Sequence, residues 1–268
     1  MVNNKLFMEQ IMTSQKDWNP GLYLKFRNER TQASIDLVSR INVESPGSII
    51  DIGCGPGNST QVLHDRWPEC IVTGLDNSPS MIAKAKNDYP SQEWILGDVT
   101  DINPSVRYDI VFSNAAIQWI PDHKRLIDSM WNMVNEGGAI AVQMPLYQDM
   151  PVCGVIERAA SERWPQLADV MDIFTFHEPD YYYDVLSYLS DKIEVWVTDY
   201  FHIMDSHKSI IEMIKSAGMK PYLDKLESEK DKLEFESAAL RNIREAYPAQ
   251  ENGRVIFPFK RLFFIAYR

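Results

Sequence analysis

The sequence predicts a doubly wound α/β fold, in which a mostly parallel sheet carries a helical cap inserted before its last strand. Three features of the 268 residues support this prediction. Short apolar runs alternate with helical patterns as far as residue 145, and a glycine-rich turn directly follows the first of these runs. After residue 145, helical patterns dominate until a final β-rich run. Alternating strands and helices with short connections are typical of a parallel sheet with right-handed crossovers.

The first half of the chain supplies five predicted strands and the helices between them. Each strand is a short, mainly apolar run, and the runs cover residues 48–52, 71–76, 94–98, 108–114 and 139–144. The helices repeat apolar residues at helical spacing, and they cover residues 17–42, 60–67, 80–88 and 124–133. Pro79 suits the first turn of the helix at 80–88, and Gly137-Gly138 closes the segment that follows the helix at 124–133.

The second half of the chain is predicted to hold the cap and the last two strands. The helices are expected at residues 152–164, 181–189, 206–217 and 228–247, and the strands at residues 193–201 and 255–267. Ser228 and Asp231 have the spacing of a capping box. Pro258 predicts an edge or strand-entry position, because proline cannot donate a hydrogen bond within a central strand. We therefore expect an extension at residues 1–16 and one domain at residues 17–268, with cap elements at about 150–190 and 205–250.

Composition and charge narrow the classes of partner. The chain has 27 lysines and arginines against 38 aspartates and glutamates, and its formal net charge of −11 disfavours binding to nucleic-acid phosphates. No apolar run approaches the roughly 18–20 residues of a membrane span. The scattered Cys54, Cys70 and Cys153 show no metal-ligand spacing and are typical of a reducing compartment. We expect a cytoplasmic protein that binds no nucleic acid, membrane or metal, whose oligomeric state stays open.

The strongest functional motif is the turn after the first strand, which reads DIGCGPGN at residues 51–58. Glycines let the backbone approach a ligand where a side chain would collide, and open α/β sheets bind ligands at the carboxyl ends of their strands. Asn58 stands where the dinucleotide fingerprint needs its third glycine, and the loop lacks the lysine of a P-loop. Asp51 would repel a phosphate, so it favours a cofactor with a cationic amino-acid end. The candidate cofactor-binding residues of this turn are Asp51, Gly53, Gly55, Gly57 and Asn58.

Two further acids are predicted at the ends of the next two strands. Asp76 ends the second strand, where a carboxylate can accept hydrogen bonds from both hydroxyls of a ribose. Asp98 ends the third strand, where it can accept a hydrogen bond from an adenine amino group. These acids and the glycine turn lie at one edge of the sheet, and together they predict S-adenosylmethionine (SAM) as the cofactor. A nicotinamide dinucleotide (NAD) remains an alternative, because its binding fold also places an acid after the second strand.

Residues 48–144 resemble the class I SAM-dependent methyltransferases, which have a Rossmann-like domain. The resemblance rests on the glycine motif, on residues 75–76 and 97–99, and on the segment from 113–114 to 118–119. It implies contacts with SAM and with its demethylated product, S-adenosylhomocysteine (SAH). By position, Asp51, Gly53 and Gly55 would line the methionine part, and Asp76 would hold the ribose. The residues that would contact the adenine are Asn77, Met81, Asp98 and Val99. Asn114 and Ile117 would form the floor of the pocket.

The resemblance extends over nearly the whole chain to one family of these enzymes, the trans-aconitate 2-methyltransferases. The matching segments are residues 17–26 with 29–30, 118–123, 142–145, 200–202, 250–253 and 261–263. These enzymes methylate one carboxylate of trans-aconitate to a monomethyl ester, so the resemblance implies a small di- or tricarboxylic acid as the acceptor. The sequence departs from the family at Leu146 and Tyr147, where the family carries an acidic and an amide residue.

A carboxylate acceptor needs no general base. SAM carries an activated methyl group, and an ionised carboxylate is already a nucleophile at pH 7. We therefore expect no catalytic residue and no metal, and a rate that comes from alignment of the two reactants. The candidate acceptor-binding residues are Arg261, His202, Tyr182, Tyr183 and Trp119. Tyr23, together with Trp18 and Phe26, is predicted to cover the sulfonium through cation–π contacts.

Three other functions remain open on the sequence alone. A methyltransferase acting on a hydroxyl, amine or carbon would need a general base near the methyl group, for which His123 and His202 are candidates. A SAM-binding sensor would bind SAM without turnover of any acid. An NAD-dependent oxidoreductase would bind NADH in the glycine turn instead.

Overall fold

The computed structural model of the protein describes residues 17–102 and 106–268, and the extension predicted at residues 1–16 lies outside them. The strands are β1 (Ser48–Ile52), β2 (Ile71–Asp76), β3 (Glu93–Leu96), β4 (Tyr108–Asn114), β5 (Val134–Pro145), β6 (Ile193–Met204) and β7 (Val255–Tyr267). They form a seven-stranded sheet with the order β3-β2-β1-β4-β5-β7-β6. Neighbouring strands from β3 to β5 are parallel, and β7 is antiparallel to both β5 and β6.

The helices surround this sheet in the predicted order. Those in the described residues are α1 (Pro20–Leu24), α2 (Arg27–Arg40), α3 (Asn58–Arg66), α4 (Pro79–Asp88), α5 (His123–Asn132), α6 (Pro151–Arg163), α7 (Pro179–Ser187), α8 (His207–Lys215), α9 (Lys220–Lys225) and α10 (Glu229–Ala246). The helix predicted at residues 17–42 is two helices, because Phe26 between them has the non-helical angles φ −113° and ψ 41°. The predicted capping box is confirmed, since the backbone N–H of Asp231 donates to the Ser228 hydroxyl at 3.0 Å.

Helices cover both faces of the sheet, and the chain order of the strands reverses where β1 lies between β2 and β4. The predicted doubly wound, mostly parallel fold with a helical cap before the last strand is therefore confirmed. Two features were not predicted: α9, and the start of β5 at Val134, where that residue pairs with Tyr108 before a register shift. In the described part of the chain, none of the helices is both long and apolar enough to cross a membrane.

The final strand lies inside the sheet, but Pro258 stands near its start, in agreement with the edge or strand-entry position predicted for this proline. β7 pairs with β6 along its whole length, and with β5 only from Arg261 to Tyr267. Pro258 pairs with Phe201 in the part of β7 that extends beyond β5. There its missing N–H removes no hydrogen bond to β5, so a proline is compatible with a strand that is central elsewhere.

The two faces of the sheet carry separate cores, because successive side chains of a strand point to opposite faces. Leu37 of α2 and Phe263 of β7 are fully buried on one face, which α2 and α3 cover. Tyr182 of α7 and Phe264 of β7 are fully buried on the other face, which α5 and α7 cover. We call these the α2 face and the α7 face.

The cap has a core of its own. Phe235 of α10, Tyr222 of α9 and Phe257 of β7 are buried there together with apolar side chains of α6 and α8. Phe257 lies in the part of β7 that extends past the carboxyl end of β5. The cap is thereby placed next to the carboxyl edge of the parallel strands, where ligands bind in folds of this type.

Candidate active site

The glycine turn begins where β1 ends and packs closely against the turn that follows β4. The backbone N–H groups of Gly53 and Cys54 both donate to the carbonyl of Leu75, at 2.8 and 3.0 Å. Gly53 has a φ of +70°, and a Cβ placed on it would lie 2.2 Å from the Cβ of Ala116. Gly55 has a φ of +56°. Glycine is therefore required at Gly53 by both conformation and space.

Asp76 fixes the glycine turn from the end of β2. Its Oδ2 accepts a hydrogen bond from the backbone N–H of Gly55 at 2.9 Å, and its Oδ1 accepts one from the N–H of Ser78 at 2.8 Å. Burial raises the pKa of Asp76 above its ordinary value, although both hydrogen bonds act in the opposite direction. Each oxygen of an ionised carboxylate can accept two hydrogen bonds, so Asp76 retains acceptor capacity towards the rim of the site.

Asp51 is fully buried at the end of β1. Its Oδ2 accepts hydrogen bonds from the hydroxyls of Ser59 and Thr60, both at 2.7 Å. Burial raises the pKa of Asp51 to about 6, the two hydroxyls lower it, and the charge of Asp76 adds to the rise. The Asp51 carboxyl therefore stays largely ionised at pH 7, and a cation beside it would stabilise that form further.

The adenine-side candidates lie around the ends of β2 and β3. Asn77 is exposed, whereas Met81 and Val99 are buried. Asp98 does not end β3 as predicted, because that strand stops two residues earlier. Asp98 instead caps the following turn, where its Oδ1 accepts hydrogen bonds from the backbone N–H and the hydroxyl of Thr100, both at 2.8 Å.

Residues 17–24, which we call the strap, are tied to the start of α4 beside Asp76. The Asp17 carboxylate accepts hydrogen bonds from the Ser78 hydroxyl and, at 3.0 Å, from the backbone N–H of Ser80. The Ser80 hydroxyl in turn donates to the carbonyl of Trp18 at 2.7 Å. Partial burial opposes ionisation, but the hydrogen bonds prevail and lower the pKa of Asp17. The strap is thus a clasped cover at the rim of the glycine turn.

Aromatic rings continue this cover towards the cap. The indole of Trp18 meets that of Trp119 edge to face, with 5.2 Å between ring centroids. Trp119 is half-buried, and its ring centroid lies 4.5 Å from that of Phe174. Phe26 is buried in the cap core. Tyr23 belongs to α1, but its side chain lies outside what the structure describes, so its predicted contact with the sulfonium stays a prediction.

A second group of polar side chains lies on the α2 face, near the carboxyl ends of β5 and β6. Arg261 is only 3% exposed, and its Nη1 donates to Oε1 of Gln143 at 3.2 Å. Its guanidinium carbon lies 4.5 Å from the ring centroid of Phe259, whose ring centroid lies 5.9 Å from that of His202. Arg261 is therefore a buried residue of an interior strand that contacts the predicted His202 region.

Arg30 of α2 approaches the same region. Its Nη2 donates to the carbonyl of Met213 at 2.9 Å and to the hydroxyl of Ser216 at 2.7 Å. Burial, followed by the charges of Arg261 and Arg30, lowers the pKa of His202 from 6.5 to about 4. His202 is therefore neutral at pH 7, and the positive charge comes from the two guanidinium groups. We call Arg30, Gln143, His202 and Arg261 the basic pocket.

Tyr182 and Tyr183 do not join the basic pocket, which corrects their predicted role as acceptor-binding residues. Tyr182 is fully buried on the α7 face, where its ring stacks on Phe264 at 5.2 Å between centroids. Its hydroxyl lies 2.6 Å from Nδ1 of His123. Tyr183 is 54% exposed on α7. Both tyrosines are thus separated from Arg261, which lies on the opposite face of the sheet.

Buried polar atoms without partners mark the carboxyl edge of the sheet. Within residues 17–102 and 106–268, such atoms include Asp51 Oδ1, both amide atoms of Asn58, Asn114 Oδ1, Gln143 Nε2 and His202 Nε2. Leaving one buried polar atom unsatisfied costs about 1–3 kcal/mol, and proteins keep few of them. These six atoms lie near the carboxyl ends of β1, β4, β5 and β6, where a ligand could supply their missing partners. Ile117 is fully buried in the turn that follows β4.

The buried histidines make an acid-dependent loss of stability a testable expectation. Burial lowers the pKa of His123 to about 4, as it does for His202, so the unfolded chain binds more protons than the folded chain between about pH 6.5 and 4. As the pH falls from about 6.5 to 4, each histidine is expected to reduce the free energy of unfolding by on the order of 3 kcal/mol. Asp51, whose pKa is raised to about 6, acts with the opposite sign between about pH 6 and 4. Urea unfolding at several pH values measures the net slope.

A His123→Gln variant isolates one of these contributions. Its free energy of unfolding is expected to depend less steeply on pH than that of the wild type below pH 6.5. Because the variant keeps Asp51 and His202, the difference between the two slopes reports on His123 alone. Parallel curves would contradict a neutral, buried His123.

Three residues of this site are not among the predicted site residues. Gln143 interrupts the apolar run of β5, and an amide inside a buried strand is a signal for a specific polar partner. Arg30 lies on the apolar face of α2, at helical spacing from Leu37. An arginine on a face that packs against the core is a signal for a specific polar role. No local sequence pattern indicates the role of Asp17, because its hydrogen bonds to Ser78 and Ser80 join segments about sixty residues apart.

Comparison with known proteins identifies the family of the chain. A methyltransferase-domain family model matches residues 49–138. The chain is 37% identical over 252 residues to trans-aconitate 2-methyltransferases of Escherichia coli O157:H7 and Shigella flexneri, and the alignments cover 94% of this chain and 98% of each relative. The chain belongs to the trans-aconitate 2-methyltransferase family. Membership confirms the predicted resemblance to this family and to the class I methyltransferases that contain it.

Solved structures support the fold of this trans-aconitate 2-methyltransferase family member. The YcgJ protein of Bacillus subtilis superposes with a TM-score of 0.56 at 14% identity, covering 88% of this chain and 99% of the other. Phosphoethanolamine N-methyltransferase 2 of Haemonchus contortus, solved with SAM, gives a TM-score of 0.55 at 16% identity and covers 88% and 52%. At such low identity these likenesses establish the fold, and the chemistry depends on the site itself.

Proposed function

We propose that this protein transfers the methyl group of SAM to one carboxylate of trans-aconitate, giving a monomethyl ester and SAH. The observation that carries the proposal is the basic pocket beside the glycine turn. The two regions are continuous, because Asn114 of β4 pairs in register with Gln143 of β5, and the following turn contacts Gly53. The substrate named for the relatives, an unsaturated tricarboxylic acid, supplies the negative charge that such a pocket favours.

The glycine turn and its acids fit SAM. The unpartnered Oδ1 of Asp51 suits the ammonium group of the methionine part, and the spare acceptor capacity of Asp76 suits the ribose hydroxyls. Met81, Val99 and Ile117 are buried and provide apolar surface for the adenine. When bound, SAM supplies a methyl group already activated by a positively charged sulfur. The chain's residues therefore have to bind and orient the cofactor, and not to activate it.

The acceptor needs orientation and no deprotonation. A carboxylate is ionised at pH 7, so it attacks the methyl carbon directly. His123 is not placed as a base, because its Nε2 lies 2.9 Å from the carbonyl of Ile117 and its Nδ1 is bound to Tyr182 on the α7 face. Near-attack alignment of two reactants can supply about 7–11 kcal/mol of the barrier reduction. The strap and Trp119 contribute by excluding water from the site.

The proposed partner is a small molecule in the cytoplasm. A net charge of −11 disfavours a nucleic acid as acceptor. Cys54, Cys70 and Cys153 are all free and buried, which suits a reducing compartment. The same net charge slows the encounter with a tricarboxylate, so the local charge of the basic pocket has to provide the attraction.

Incubation with methyl-labelled SAM and a panel of acceptors tests the proposal. The panel contains mono-, di- and tricarboxylic acids together with phenols and amines, and products are identified by mass spectrometry. We expect label in an ester of trans-aconitate that alkali releases. Label on a phenol or amine but on no acid would indicate a different methyltransferase, and SAM binding without any transfer would indicate a sensor. Binding of NADH in place of SAM would indicate an oxidoreductase.

A further inference from the structure

Gln143 is an amide in an otherwise apolar, fully buried stretch of β5. The surrounding residues from 139 to 144 are all buried and hydrophobic apart from Gln143 itself. Its Oε1 accepts a hydrogen bond from Nη1 of Arg261, at 3.2 Å. Its Nε2, also buried, has no hydrogen-bond partner in the described residues. A buried amide that is satisfied on one side only needs an acceptor on the other.

The register of the strands shows where that acceptor would lie. Gln143 pairs with Phe263, which is two residues from Arg261 along β7. The side chains of Gln143 and Arg261 therefore lie on the same face of the sheet. His202 of β6 lies farther along this face, where its buried Nε2 also has no partner within residues 17–102 and 106–268. The unpartnered Gln143 Nε2 thus lies beside the Arg261 guanidinium on this face of the sheet.

We infer that Gln143 is a specificity-determining residue that binds a non-reacting carboxylate of the acceptor together with Arg261. The inference rests on the proposed function, because it assigns the acceptor's second acid group to the basic pocket. The amide carbonyl orients the guanidinium without cancelling its charge, and the amide N–H₂ donates to the same carboxylate. A glutamate at this position would form an ion pair with Arg261 and exclude the substrate. The pocket therefore selects acids that carry a second carboxylate over monocarboxylic acids.

Gln143→Glu tests this assignment with a change of one atom. We expect the KM for trans-aconitate to rise roughly 30-fold or more, while kcat and the dissociation constant of SAM change little. Gln143→Met, which removes the donor and adds no charge, is expected to raise KM roughly 10-fold or more and provides a second variant if the glutamate prevents folding. Gln92→Glu adds the same charge outside the basic pocket and serves as the matched control, because the Gln92 amide donates to Oε1 of Gln61 at 2.8 Å. Thermal unfolding checks that each variant is folded.

The preference for a second carboxylate is measured separately. With the wild type, crotonate, a monocarboxylic acid, is expected to be a far poorer acceptor than trans-aconitate, and Gln143→Glu should narrow the difference between the two. An unchanged KM for trans-aconitate in both Gln143 variants overturns the inference. So does a weakened affinity for SAM with a normal KM for the acid, which would assign the pocket to the carboxylate of the methionine part.

Failure of the proposed function gives a different result. If the wild type forms no ester, calorimetric titration of the SAH complex with trans-aconitate still compares the variants. Acid binding that is lost in Gln143→Glu and kept in Gln92→Glu supports the inference even without turnover. Equal binding by both variants, or no binding by the wild type, contradicts it.

Discussion

Replacing Gly53 with alanine is expected to weaken the binding of SAM and SAH severely, and methyl transfer with it. The added Cβ would lie 2.2 Å from the Cβ of Ala116, so the glycine turn or the turn after β4 has to move. Ala115 already has a φ of +55°, which leaves the second turn little freedom to adjust. The φ of +70° at Gly53 costs a further 1–2 kcal/mol or so for any L-residue. Because both turns belong to the proposed SAM site, we expect affinity for SAH to fall by roughly 100-fold or more.

Two other glycines separate the effect of backbone strain from that of the collision with Ala116. Gly55 has a φ of +56° and no described atom within 4 Å of an added Cβ, so Gly55→Ala tests backbone strain alone and should weaken binding by about 1–2 kcal/mol. Gly154, inside α6, also has open space around it, and Gly154→Ala should leave SAH binding unchanged. Calorimetric titration with SAH ranks the three variants. Equal affinity in Gly53→Ala and Gly154→Ala would falsify the close packing of the two turns as a requirement for the cofactor.

Arg261→Ala is expected to produce a large defect in the binding of the acceptor. Removing one partner from a buried, hydrogen-bonded charge pair costs about 2–5 kcal/mol, which corresponds to a rise in KM for trans-aconitate of roughly 30-fold or more. Affinity for SAM should stay normal, because Arg261 lies on β7 and the proposed SAM-binding residues lie on β1, β2 and the adjoining turns. Arg261→Lys keeps the charge but loses the planar fork, so it should recover only part of the loss.

Steady-state kinetics with varied acid at saturating SAM measures this effect. Arg158→Ala is the matched control, since Arg158 is half-exposed and forms a surface ion pair with Glu245 that contributes little. A normal KM in Arg261→Ala would show that the acid binds elsewhere. A raised KM for SAM in the same variant would instead place the methionine carboxylate in the basic pocket.

The strands and the glycine turn were predictable because their signals are local. A short apolar run ending in an acid and three glycines defines both the strand and the turn, and Asp51 and Gly53 lie where the sequence places them. The capping box at Ser228 is local as well, since its two residues are three positions apart. The boundary errors, such as the early start of β5, arise where pairing with a distant strand extends an element past its apolar run.

The acceptor side was less predictable because it depends on contacts between distant segments. Arg261 and Gln143 meet only because β7 pairs with β5, and Arg30 approaches them from a helix more than a hundred residues before Gln143. Tyr182 was placed wrongly for the same reason. Its sequence position reveals a helical aromatic residue, but only the packing of α7 on the sheet shows that it lies on the face opposite Arg261.

The indoles of Trp18 and Trp119 give the protein a built-in optical reporter. Their rings meet where the clasped N-terminal segment covers the rim, and the Lys220 ammonium lies 5.4 Å from the Trp18 ring centroid. Indole emission depends on such neighbours, so any release of the clasp changes the intrinsic fluorescence of the protein. Stopped-flow mixing with SAH would therefore follow opening and closing in real time without an attached dye.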